Sequence, residues 1–195
     1  MRALTLAALG VALVACEKHP KTITVHRGAF QLTVPAGWSS SEEAQPTFDH
    51  VSITPPGGDG ACTFAFTDTS SEPLPAQYEE NFRTSAMKAL GATSATPDSL
   101  EISGARFGGA HFKGRPPASG VVGVLATLAG EASVETYGGA IGKTYVGVMF
   151  TTFETTGDPK AVLDGCRAVA RSLDALSTRA GGATMPEHPP RRPAR

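Results

Sequence analysis

Aromatic residues are scarce, with one Trp, three Tyr and nine Phe in 195 residues, and no apolar run is long enough to span a bilayer. A helical span takes about 20 apolar residues, whereas the leading run, Ala3 to Val14, gives way to Glu17, Lys18 and His19. Behind a single cation, Arg2, a run of this length has the profile of a secretory signal over residues 1–15. Catalytic signatures are missing too, for the chain carries no GxSxG, no HExxH and no CxxC. Its histidines, His19, His26, His50, His111 and His188, lack metal-ligand spacing, and Asp49-His50 in the body reads as a loop contact. Glu42-Glu43 and Glu79-Glu80 are adjacent pairs, which point apart on a helix. No catalytic residue, metal ligand or cofactor is therefore assigned.

Positive charge is not in excess either. The formal net charge of −1 falls to −2 once Arg2 is removed, and the tail 178–195 holds +3 of what remains, leaving about −5 on residues 16–177. An acidic body argues against a nucleic-acid partner, which requires a basic face for phosphates. Cysteine is sparse: beyond Cys16 there are only Cys62 and Cys166. An even pair in an exported chain is a disulfide candidate, and two separate buried thiols are the alternative.

What the chain has in quantity is Gly (22) and Pro (15), which favours short strands and turns over a helical bundle. About 180 residues after the signal suit one domain. Residues 22–25 and 30–34 alternate as two strands around the turn 26–29, and the polar run 39–45 reads as loop. Strands 51–54 and 62–67 form a hairpin whose glycine cluster is a turn, since a phosphate cradle would need a Lys-Ser/Thr ending and a following helix. Tyr78, Phe82, Ala86 and Leu90 mark one face of a helix from Pro75, and 92–98 reads as loop before a short strand at Leu100 and Ile102. Segments 105–113, 121–128, 132–141 and 143–153 predict an antiparallel meander. Asp158 as N-cap and Pro159 at N1 open a closing helix with Val162, Leu163, Cys166, Val169, Ala170, Leu173 and Leu176 inward. The fold class is thus α+β, an antiparallel sheet flanked by helices, and the Pro/Arg-rich tail 178–195 is expected to be disordered. Its arginines either solubilise the chain or touch anionic lipid.

Leu13-Val14-Ala15-Cys16 resembles the lipobox of bacterial lipoproteins. The resemblance implies that Cys16 receives a diacylglycerol, that cleavage makes it residue one, and that an acyl chain such as palmitate is added to its amine. An ordinary secretory signal with a bystander Cys16 is the alternative. Residues 16–21 would then be a lipidated tether, and the protein a lipid-anchored component of the cell envelope on either the inner or the outer membrane.

FQLTVPAGW (30–38), GARFGGAHFKG (104–114) and DPKAVLDGCRAVARSLDAL (158–176), in this order of elements, resemble the Mog1/PsbP-like superfamily with its DcrB-like and LpqN-like lipoproteins. The resemblance covers residues 22–177 and implies an α/β/α sandwich that acts as a non-catalytic binding or assembly module. The partner expected here is an envelope protein or glycan. A carrier of a small apolar ligand and an envelope hydrolase are the other two readings, and Trp38 and the glycines of 104–114 are taken as packing and turn residues.

Overall fold

Alternation of side chains sets the frame. In β4 (Asp49–Thr54) and β5 (Gly60–Asp68) every second residue is buried, so Val51, Ile53, Cys62, Phe64 and Phe66 share one face. The computed structural model describes residues 19–45, 48–58, 60–69, 75–115, 130–153 and 157–176. Expectations for the signal, the strand 121–128 and the tail 178–195 lie outside those residues.

β1 (Lys21–Val25) and β2 (Phe30–Val34) form a hairpin, to which β10 (Asp174–Ala175) adds a third strand. The main sheet has seven antiparallel strands in the order β3-β4-β5-β9-β8-β7-β6. Its remaining members are β3 (Ser39–Ala44), β6 (Thr96–Ile102), β7 (Ala105–Gly114), β8 (Ala132–Ile141) and β9 (Thr144–Phe153). Of the expected meander, β7, β8 and β9 pair in antiparallel order, and β6 joins them at the edge.

Two expected loops are strands. Residues 39–44 pair with β4 as the sheet edge, and β6 starts at Thr96 rather than at Leu100. Both are edge strands among the described residues, so their outer halves face no core and carry no apolar alternation. An edge needs only backbone pairing, and Glu42, Glu43 and Pro97 are the kind of residues that blunt it.

The helices lie on opposite faces of the main sheet. α1 (Pro75–Ala89) packs over β7, β8 and β9, where Gly108 leaves room for the Glu79 carboxylate and where Phe112, Ala132 and Val134 meet Ala86, Met87 and Leu90. α2 (Pro159–Arg171) and the small sheet cover the other face and enclose the main core. The Asp158 carboxylate accepts from Lys160 N at 3.1 Å and Ala161 N at 3.2 Å, as an N-cap should, a contribution of about 1 kcal/mol. The helix ends at Arg171, sooner than its apolar stripe suggests, because the chain turns at Ser172 to place Asp174 and Ala175 against β2. Gly165 is required where it stands, since a Cβ there would lie 2.8 Å from the Trp38 ring. Trp38 is thus a packing residue on α2.

Candidate functional site

Cys62 of β5 and Cys166 of α2 are disulfide-bonded, with Cα atoms 5.4 Å apart across 104 residues of sequence. Both are fully buried, so the bond ties the helix to the sheet inside the core. Phe64, Phe107 and Phe150 are fully buried in the same core as that bond. Cys16, the expected lipidation residue, lies outside the described residues.

Two polar clusters sit on this same face of the main sheet, toward different edges. In the first, the buried His26 ring is held between two carboxylates: Nδ1 is 2.6 Å from Asp49 Oδ2, and Nε2 is 3.3 Å from Asp68 Oδ1. The ring stacks on Phe66 with centroids 5.4 Å apart, and its backbone N–H donates to Glu42 at 3.1 Å. His26 and Arg27 both have φ near +50°, a left-handed conformation that ordinary side chains seldom adopt and that the surrounding structure must hold. Asp49 was expected to make a loop contact with His50. Instead both are in β4, where successive side chains point to opposite faces, and Asp49 turns inward to His26. Its Oδ1 is buried without a partner among the described residues.

In the second cluster, Arg167 of α2 grips the buried Glu135 of β8 with two bonds, Nε to Oε2 at 3.1 Å and a terminal nitrogen to Oε1 at 2.6 Å. The Tyr137 hydroxyl lies 2.7 Å from Asp98 Oδ2 and 3.0 Å from Glu135 Oε2. Burial, and then the hydrogen bond to Asp98, push the Tyr137 phenol well above its ordinary range, so it stays a neutral donor. That same bond holds the Asp98 carboxyl below the usual carboxylate range. On the next rung His111 Nε2 is 2.9 Å from Ser133 Oγ. This is the base-to-hydroxyl contact that a hydrolase would require, but no carboxylate among the described residues bonds the other ring nitrogen to orient it.

Sequence reasoning found the disulfide pair and missed both clusters. Asp98, Tyr137, Glu135 and Arg167 are 30 to 69 residues apart or two apart on one strand, so no short motif joins them; strand pairing and the packing of α2 on the sheet do. Among the acidic neighbours, Glu42 serves the His26 backbone, Glu80 pairs with Arg83 one turn along α1, and Glu43 points elsewhere. His50 is half-buried in β4, apart from either cluster.

Neither a protein-family model nor a curated protein sequence matches the chain. Solved structures do. A cyanobacterial PsbP from Synechocystis superposes with TM-score 0.52 at 12% identity, over 87% of this chain and 98% of that one. The Ran-binding protein Mog1p of Saccharomyces cerevisiae gives 0.50 at 11% identity, over 81% and 96%. A Bacteroides thetaiotaomicron protein gives 0.51 at 10% identity over 83% of this chain, which spans half of that longer one. At such identities the likeness is one of fold, and the mixed α+β domain described here has the Mog1/PsbP-like fold.

Proposed function

We propose that this chain is a lipid-anchored protein of the bacterial cell envelope that acts as a non-catalytic binding or assembly module. The observation that carries the reading is the buried Cys62–Cys166 bond, because disulfides persist in exported chains and are rare in reducing compartments. It agrees with the signal-like residues 1–15 and with the lipobox ending at Cys16. Two or three acyl chains give stable anchoring where a single chain is marginal. The binding role draws on the fold: yeast Mog1p is a Ran-binding protein, so this architecture can present a surface to a protein partner. The non-catalytic half of the reading draws on the polar side chains, since Arg167, Glu135, Tyr137 and Asp98 are engaged with one another.

The test is fractionation of cells expressing the wild type and Cys16→Ser. The wild type stays with membranes after a salt wash and the variant is released; a variant that still pellets removes the lipid anchor. Crosslinking in intact cells then recovers a recurrent envelope protein or glycan, and repeated recovery of none removes the binding role.

A second reading, an envelope hydrolase, is favoured by one observation, the His111–Ser133 contact. A fluorophosphonate reagent decides it. Labelling of Ser133 that is lost in His111→Gln would establish a reactive hydroxyl, and an unlabelled Ser133 removes the hydrolase.

A further inference from the structure

Lys21 opens β1 and pairs with Val34, so the chain enters the domain beside the turn 35–38. That turn touches the turn 55–58, since a Cβ on Gly37 would lie 3.6 Å from Pro56 Cγ. Strand register places further ends on the same side: Gly60 is opposite Thr152, Ala132 opposite Phe153 and Gly114 opposite Ala132. Lys113 and Arg115 flank Gly114, which abuts Leu90 just past the last turn of α1, where Lys88 stands. The opposite end carries the turn at His26, the turn at Gly142 and Lys143, and the departure of the chain, where Leu176 N donates to Ala29 O at 2.8 Å. Its charges are mixed, with Asp68 and Asp174 against Arg27 and Lys143.

We infer that the end bearing the turns 35–38 and 55–58 is the surface that rests against the lipid bilayer, and that the His26 turn points away from it. The inference rests on the lipidated Cys16 proposed above and adds an orientation to it. Lys21 is five steps along the chain from Cys16, a reach of roughly 17 Å fully extended. With the near end down, this tether has slack. With the far end down, Lys21 stands about 14 Å above the surface, the length of β1, and the tether must run almost straight at an entropic cost. Anionic headgroups favour the same choice, because Lys88, Lys113, Arg115 and Lys160 sit at the near end against Glu131 and the N-cap Asp158. The surface offered to a partner is then the far end, together with the sides of the sheet.

The experiment uses the full lipidated, disulfide-bonded chain with one added cysteine, Ala36→Cys, Pro56→Cys or Lys143→Cys, all exposed positions. Each carries an environment-sensitive fluorophore and is floated with phosphatidylethanolamine/phosphatidylglycerol vesicles containing a headgroup-level quencher. Quenching at positions 36 and 56 is expected to exceed that at 143 at least threefold. Equal quenching, or stronger quenching at 143, in protein that floats overturns the orientation alone. Wild-type protein that fails to float overturns the anchor and the orientation with it.

Discussion

The two polar clusters bury their central carboxylates almost equally, Asp49 at 1% exposure and Glu135 at 4%, yet they satisfy them differently. Both oxygens of Glu135 accept from Arg167, and one also meets Tyr137, so the charge is compensated by a planar, two-pronged donor. Asp49 concentrates its contacts on Oδ2, which faces His26 at 2.6 Å and Arg27 at 3.7 Å, while Oδ1 has no partner among the described residues. The first arrangement joins α2 to β8 and β6 across the sheet face. The second joins a left-handed turn to the ends of β4 and β5. Compensated in this way, a buried charge braces elements distant in sequence; served on one oxygen only, it marks a joint where the fold holds less in reserve.

Removing the disulfide should have the largest effect and should fall unevenly. Cys62→Ala with Cys166→Ala frees a loop of 104 residues, and native disulfides of this kind contribute about 4 kcal/mol. Because Arg167 follows Cys166 directly, amide exchange is expected to rise around Glu135 and much less around His26. Equal loosening of both would mean that the braces do not depend on where α2 sits. Next, Arg167→Ala leaves Glu135 buried without its cation. Breaking such a pair costs about 3 kcal/mol, at the low end of its range because Arg167 is itself one-third exposed. Urea unfolding measures it, and a loss below about 1 kcal/mol would show that Glu135 is hydrated rather than braced.

The same contrast shows what could be read in advance. Periodicity reported the elements that bury a face: Phe30, Leu32 and Val34 in β2, Cys62, Phe64 and Phe66 in β5, and Val162, Cys166, Val169 and Ala170 of α2 appear where the pattern places them, whereas Leu173 and Leu176 fall past the helix end. It was silent on β3, whose residues 39–44 are five polar ones and an alanine, because an edge strand on the rim is held by backbone bonds that leave no trace in side-chain type. The disulfide was legible as one of two open readings, from cysteine count and from the inward phase of Cys166. The clusters were not. Asp49 looked like a loop residue because its true neighbour, His26, is 23 positions away and is brought to it only when the β1–β2 turn folds over the sheet.

Asp49→Asn separates the two clusters further. It removes a charge that has a partner on one oxygen only and keeps a side chain that can still bond His26, so the expected cost is about 1 kcal/mol, well under that of Arg167→Ala. A loss as large as the arginine variant's would erase the distinction between brace and joint.

The smallest effect sharpens the comparison through acid. Tyr137→Phe removes the hydroxyl shared by Asp98 and Glu135 and should cost about 1 kcal/mol near neutral pH. Asp98 owes its depressed value first to that hydroxyl, so in the wild type the folded chain takes up this proton at lower pH than the unfolded chain does. The resulting stability is present above the ordinary carboxylate value of 3.8 and is lost as pH falls through the folded value. The gap between wild type and Tyr137→Phe should therefore narrow below about pH 4, read as converging urea midpoints. A gap that held constant into acid would mean that the Tyr137 hydroxyl acts by filling space beside Phe150 and not by holding the Asp98 charge, and the network around Glu135 would shrink to its arginine.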